Sequence, residues 1–531
     1  MLAYTIYLSF AGALVLAVLP RAGAQFARVF ALAIAVAGLA VGLAGFIAAG
    51  SSGSVTVADL AWIPSMGIHY TLAADGISRV LVLLTGLAAV AGILFSWTVS
   101  ERTNEFFAFF LALIGGVYGV FLSVDLFLLF VFYEIAIVPK YFLIAIWGST
   151  RREYGAMKLA LYSFAGSAMV LIGLLAAYAT AGAHTMDLHV LAAYPFPISF
   201  QMWAFPLVFV GFAILAGMWP FHTWAPTGHV AAPTAASMLL AGVVMKLGAY
   251  GCLRVAMTLF PHGLDPWGFS LLGIGSWRTV FALFAVIGIV YGAAVALVQI
   301  DFKFVIGYSS VSHMGLVLLG LLTLTQIGID GAVLQMFSHG ILAGLLFATV
   351  GRIVYERTHT RDLGALSKLQ LGKAMPFAAA VFVIAGMASM GLPGFSGFVA
   401  EIQVLIGAWY AFPWFAIVAG VGIVVGVAYT WRALQRVFFS DLPATAPDGN
   451  PIPVPQYEPI TWPEVAGVLL LTGSSLLIGI HPQFLIDVIA LGGEAVDAVN
   501  SLRRAHRIGP GHRKDRRRLE PATNEARVGL G

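Results

Sequence analysis

The sequence is poor in charge and has almost no cysteine. Charged residues make up 10% of its 531 positions, against about 25% in soluble domains, which excludes a water-soluble globular enzyme. Its one cysteine, Cys252, excludes a disulfide framework and any cysteine-ligated cluster. In an apolar helix such a thiol serves as a small hydrophobe. No glycine-rich nucleotide fingerprint lies between a strand and a helix, and no metal-ligand cluster is present. Disorder needs low hydrophobicity and high net charge; here the formal net charge is +4 and 60% of residues are hydrophobic, 13% aromatic. Mean hydropathy is +0.93. The apolar runs are continuous, whereas outer-membrane strands alternate apolar and polar residues. The composition therefore predicts an all-α polytopic membrane protein.

A hydrocarbon core about 30 Å thick takes about 20 apolar residues per helix, which gives about fourteen spans. They fall near 2–19, 28–49, 78–98, 105–123, 126–147, 156–181 and 203–224, then 232–257, 278–299, 304–323, 328–354, 374–410, 414–437 and 463–481. The first span lacks a charged leader and a small-residue cleavage site, so it reads as retained. The stretch 374–410 is too long for one straight span and contains Gly391-Leu392-Pro393-Gly394-Phe395-Ser396-Gly397, which predicts a broken helix. The resulting divisions are three helices with an outer loop (1–103), five-helix units at 104–257 and 258–437, a loop, last helix and amphipathic segment (438–500), and a flexible basic tail (501–531).

Basic residues choose the orientation. Arg21, Arg28, Arg102, Arg151, Arg152, Lys158, Lys303, Arg352, Arg357, Arg361, Lys368, Lys373, Arg432 and Arg436 fall on alternate loops, while 182–202 and 258–277 carry almost none. The positive-inside rule places both termini outside. The tail from Arg503 to Arg518 is strongly basic and resists this assignment: either the chain crosses once more, or, the favoured reading, 484–502 lies on the surface as an amphipathic helix and the tail is an exception to the rule. A second interrupted span, at 203–224, carries Gly217 and Pro220. It is the seventh span and 374–410 is the twelfth. An odd offset makes them cross in opposite directions, as inverted repeats do, and paired interruptions point to ion sites.

Ionisable groups in hydrocarbon are costly and call for a reason. Glu134 lies inside the fifth span, Lys246 mid-way along the eighth, His313 and His339 in the tenth and eleventh, and Glu401 in the twelfth. Isolated ions at such depth would neutralise. In an alternating row of acids and bases, a unit charge at about 4 Å and an effective dielectric of about 20 is worth about 4 kcal/mol. That is roughly a thousandfold in a neighbour's proton affinity, enough to switch a lysine between holding and releasing a proton. For His313 and His339 a structural role, bonded to serine or backbone, competes with this. Lys140 lies about 10 Å from its helix end, within partial snorkelling range. His222 and His229, at the end of the seventh span, read equally as wet loop histidines.

Several segments resemble the chain M (subunit 4) family of antiporter-like subunits of bacterial NADH–quinone oxidoreductase, respiratory complex I. They are Phe130-Val131-Phe132-Tyr133-Glu134, Pro220-Phe221-His222-Thr223-Trp224, Lys246-Leu247-Gly248-Ala249-Tyr250-Gly251, Tyr308-Ser309-Ser310-Val311-Ser312-His313-Met314-Gly315, Glu356-Arg357-Thr358-His359-Thr360-Arg361-Asp362 and Gly391 through Glu401. The resemblance implies fourteen helices with two inverted five-helix repeats, and a place in the membrane arm beside antiporter-like neighbours and lipid, with no nucleic acid. It implies that Glu134, Lys246, His313, His339 and Glu401 carry protons. The parent complex uses FMN, iron–sulfur clusters and quinone; this chain itself holds no cofactor and no metal. The location implied is the bacterial inner membrane.

The chain also departs from the family's pattern. Where the seventh span usually carries a lysine, this sequence has Leu215, and the acids that usually follow are replaced in Thr227-Gly228-His229-Val230-Ala231. It thus reads as a divergent paralogue. Either Lys140 supplies the missing cation, or Glu134 has lost its partner and the subunit pumps differently. Six residues separate Lys140 from Glu134, about 240° beyond a full turn, so pairing needs water or a distortion at Pro139. The expected function is proton translocation coupled to quinone reduction elsewhere. The rivals are a cation/proton antiporter or membrane-bound hydrogenase subunit, and a non-pumping scaffold.

Overall fold

In hydrocarbon every backbone N–H and C=O must be satisfied within the chain, and a helix does this segment by segment. The computed structural model describes residues 1–19, 23–48, 54–266, 271, 273–440 and 454–492. Among them, twelve helices are long and apolar enough to cross a membrane; Ala3–Val18 and Pro376–Ser389 are shorter apolar helices. In chain order the elements are α1 (Ala3–Val18), α2 (Ala24–Ile47), β1 (Val55–Ile63), β2 (Ile68–Ala74), α3 (Gly76–Leu94), α4 (Thr103–Leu122), α5 (Leu126–Trp147) and α6 (Arg152–Ala181). The broken pair α7a (Ile198–Ala216) and α7b (Trp224–Ala231) leads to α8 (Thr234–Met257), α9 (Trp277–Val298), α10 (Phe302–Leu322) and α11 (Gln326–Thr358). A second broken pair, α12a (Pro376–Ser389) and α12b (Ser396–Ala411), precedes α13 (Pro413–Phe438), α14 (Trp462–Ile480) and α15 (Gln483–Ala490).

Apolar character all round marks a helix for the interior. α3 and α8 are buried along their whole length and α11 along all but its ends, while α2 and α13 lie mostly at the surface. Glycine sets the closest crossings. A Cβ on Gly248 of α8 would stand 2.4 Å from the Ala216 nitrogen and 2.5 Å from the Phe212 oxygen of α7a, so no larger residue fits there.

Both expected breaks are present and built alike. α7a ends at Gly217 (φ +80°) and α12a at Gly391 (φ +75°), in the left-handed conformation that glycine adopts freely. The Met218 N–H bonds the Ala213 oxygen (3.0 Å), and the Leu392 N–H bonds the Met387 oxygen (3.1 Å). A further likeness is a clasp that occurs twice. Asp125 caps α5 through the N–H groups of Phe127 and Leu128; Leu126 N–H bonds the Met186 oxygen (2.8 Å), and Leu188 N–H the Val124 oxygen (3.1 Å). Asp301 caps α10 through Lys303 and Phe304; Phe302 N–H bonds the Arg361 oxygen and Leu363 N–H the Ile300 oxygen, both at 2.8 Å. The first clasp lies on the face that carries the β-hairpin, the second on the opposite, arginine-rich face.

The expectation of an all-α chain misses the hairpin. β1 and β2 pair antiparallel around Pro64–Met66 and Gly67. Gly67 (φ +61°) admits no side chain, since a Cβ would strike the His184 oxygen at 1.7 Å. Tyr178 Oη donates to the Met66 oxygen, and His69 N–H to Asp125 Oδ2. On the exposed side His69 and Thr71 hydrogen-bond Asp59 and hold its carboxyl below the usual range. α15 realises the start of the expected amphipathic segment, with Leu485 and Ile489 buried on one side. Arg21 and the basic tail, Arg503 to Arg518, lie outside the described residues.

Candidate functional site

Lys246 is fully buried in α8, just past a π-helical turn, Leu240–Val244. Such turns interrupt the regular ladder. The Lys246 Nζ donates to the Ala241 oxygen inside that turn and lies 2.8 Å from His339 Nδ1 on α11. The His339 ring stacks on His313 of α10, with centroids 5.4 Å apart and planes 22° from parallel. His313 Nε2 meets Ser389 Oγ of α12a at 3.3 Å. Its Nδ1 lies 3.2 Å from Gln335 Nε2 and 3.5 Å from Glu401 Oε1. One ring nitrogen cannot accept from the amide and donate to the carboxylate at once, so its proton decides which contact is made. Glu401 of α12b is buried directly beneath the α12 break: a Cβ on Gly391 would stand 2.6 Å from Glu401 Oε2. The sequence-derived candidates Lys246, His339, His313 and Glu401 thus form one run of contacts across four helices.

Glu134 stands apart from this run. Its Oε1 is buried without a hydrogen-bond partner among the described residues, and it faces Ser167 of α6 and Lys140. The snorkelling expected of Lys140 does not occur. Its side chain has no exposure and its Nζ no hydrogen-bond partner among the described residues. α5 continues as helix through Pro139 to Trp147, and helical side chains point back toward the N-terminus, so this one is carried inward toward the level of Glu134. Leu215 is buried, apolar and packed among α7a and α8.

The two histidines at the end of the seventh span are buried and not in an exposed loop. His222 is buried beside the rings of Tyr291 and Tyr308. His229 is wholly buried between Trp224 and Phe347, both its nitrogens unpartnered among the described residues. Lys246 and Lys303 are the charged groups nearest in effect to its ring, but it makes no hydrogen bond to the run among the described residues. Burial follows from the turn into α7b, which folds this segment under α10 and α11 instead of leaving it in a loop.

Three residues counted as loop charges or passed over prove to be interior. Lys303 is buried at the start of α10, its Nζ bonded to the Ala232 oxygen (2.9 Å) and near Ser237 Oγ (3.4 Å). The signal was present: Asp301 caps the helix, which puts Lys303 inside its first turn. Arg352 belongs to α11, and with Arg357 it grips Glu464 of α14 at 2.8–2.9 Å. Among the described residues no group of His, Cys, Asp or Glu could hold a metal ion.

Comparison with known proteins gives the family and the fold. The family profile described as NADH:quinone oxidoreductase/Mrp antiporter, TM, matches residues 123–426. The chain belongs to the NADH:quinone oxidoreductase/Mrp antiporter family. Within it, NADH-quinone oxidoreductase subunit M of Rhodobacter capsulatus is 37% identical over 503 residues, 91% of this chain and 93% of that relative. A chain of respiratory complex I from Thermus thermophilus superposes with a TM-score of 0.83 at 27% identity, covering 94% of this chain and 100% of that one. A chain of the Mrp complex from Dietzia sp. shares the fold, with a TM-score of 0.79 at 22% identity over 94% of this chain and 99% of that one. Family membership and twelve apolar helices make this a multi-pass membrane protein.

Proposed function

We propose that this chain is the subunit M of a bacterial NADH–quinone oxidoreductase, and that it moves protons through the membrane arm while quinone is reduced in other chains. One observation carries the reading: Lys246 touches His339, His339 stacks on His313, and His313 reaches Glu401, all within the bundle. A proton leaving Lys246 is taken at His339 Nδ1, while Nε2, which has no partner among the described residues, is free to release one. His313 then chooses between Gln335 and Glu401 by whether its Nδ1 carries the proton. Each transfer changes the charge beside the next group, and at these separations that outweighs thermal energy several-fold. Redox chemistry, with its flavin, iron–sulfur clusters and quinone, is assigned to other chains.

The relatives' subunit names and the complex I superposition support a place among membrane-arm neighbours. The basic face is assigned to the inside of the bacterial inner membrane, with both termini outside and lipid around the rim. The paired breaks and mirrored Asp clasps support about fourteen crossings in two inverted five-helix repeats, over 104–257 and 258–437. Leu215 favours a second reading, a scaffold that pumps nothing. The deciding experiment measures protons moved per NADH in vesicles bearing the complex with Lys246→Met. The expected result is a loss of one subunit's share with NADH oxidation retained; full stoichiometry would establish the scaffold.

A further inference from the structure

Three serines meet where α12 is broken, and the row of titratable groups does not account for them. Ser396, the first residue of α12b, has its Oγ 2.8 Å from Ser338 Oγ of α11 and 3.0 Å from Ser475 Oγ of α14. All three side chains are fully buried. A hydroxyl carries one proton and can also accept, so Ser396 accepts from one neighbour and donates to the other, closing a chain across three helices. Glycine brings the same elements together. A Cβ on Gly479 of α14 would run into the Gly394 oxygen and the Phe395 backbone, and one on Gly397 would stand 2.6 Å from the Ala388 oxygen of α12a. α12b needs such a hold. A carboxylate fixes the starts of α5 and α10, whereas among the described residues no side chain caps α12b.

Glu401 depends on that hold, five residues further along α12b. Its Oε1 lies 3.5 Å from His313 Nδ1, a contact with little length to spare. Helical side chains reach about 5–6 Å from the axis, so a turn of α12b by about 10° carries the Glu401 carboxyl about 1 Å. Resting on the function proposed above, we propose that the Ser338–Ser396–Ser475 chain sets the rotation of α12b and thereby holds Glu401 against His313, with α14 as the anchor. Ser396 is a positioning residue: its hydroxyl bonds the two serines and, among the described residues, no member of the row. α14 lies beyond both proposed five-helix units, and through Ser475 it takes part in the transfer between them and Glu401. Serving stability alone, the chain would be an ordinary interhelical hydroxyl contact, of small worth in a membrane bundle.

The test uses the assembled complex in sealed vesicles, with protons per NADH read beside assembly and melting temperature. Ser396→Ala should assemble, and its stoichiometry should fall most of the way to that of Lys246→Met. Ser475→Ala, which leaves Ser338 bonded to Ser396, should lose less. The deciding variant joins Ser396→Cys to Ser475→Cys; the native Cys252 is buried in α8, outside the pair. With both thiols reduced it should pump like Ser396→Ala. Diamide takes up the two thiol hydrogens as the disulfide forms, and pumping should then return to the wild-type value, because the cross-link restores the rotation without restoring a hydroxyl. Wild-type complex treated with diamide is the control. Full stoichiometry in Ser396→Ala overturns the proposal. So does a disulfide that leaves pumping low, which would mean that the hydroxyls themselves pass protons or that the chain has to open. If Ser396→Ala fails to assemble, the cysteine pair, read reduced and oxidised in one preparation, decides. Full pumping by Lys246→Met is instead the failure of the parent reading.

Discussion

Lys140 is the side chain whose chemistry is least expected from its surroundings. A lysine without exposure or, among the described residues, a hydrogen bond is costly unless a charge stands near, and Glu134, whose Oε1 likewise lacks a partner among them, is the charged group that faces it. Lys140→Met should therefore lower pumping, by an amount comparable to Glu134→Gln, and the double variant should lose no more than either alone. Unchanged stoichiometry would leave Glu134 without a switch partner. Side chains of this kind differ in how plainly the sequence shows them. Lys246, His313, His339 and Glu401 stand out because each interrupts a long apolar run far from its ends. Lys303 and His229 do not, because they sit near span ends, where hydropathy cannot separate a wet loop from a covered helix start; only the Asp301 cap marks the difference.

At the level of the element, the interruptions matter more than the helices. Glycine and proline announced both breaks, since a left-handed residue and a missing N–H cannot be hidden. The π-helical turns in α8, at Leu240–Val244 and Cys252–Met257, are marked by no residue type and were illegible, although the first supplies the carbonyl that Lys246 uses. Gly391→Ala combines backbone strain of about 1–2 kcal/mol with a methyl group driven onto the Glu401 carboxylate. It should cut proton transfer more than it destabilises the complex, measured as protons per NADH against thermal unfolding. The Arg352, Arg357 and Glu464 cluster fastens α14 to α11, and Glu464 also closes a capping box with Thr461. Glu464→Ala takes the carboxylate away from the Arg357 guanidinium while Arg352 keeps Glu356, and should cost about 3 kcal/mol, visible as lowered melting temperature or lost assembly.

Across the whole molecule, hydropathy alone gave the helical bundle and its approximate span boundaries, because lipid leaves the backbone so few choices. It could not give the hairpin: nine residues of Val55–Ile63 bury too little to leave a periodic trace, and the turn depends on one glycine meeting a distant loop. The proposed orientation is open to a direct check. Ala183→Cys, on the hairpin face, should react with an impermeant thiol reagent in intact cells, and Thr150→Cys, on the opposite face, only after permeabilisation. The two Asp clasps tie loop to helix start once on each side of the bundle, so its top and bottom rims are pinned by short, capped bonds. Between them lie the broken helices, the π turns and the stacked imidazoles, where the hydrogen-bond ladders are already incomplete. Stiff rims around a waist with gaps in its ladders concentrate whatever give the bundle has at the level of the row.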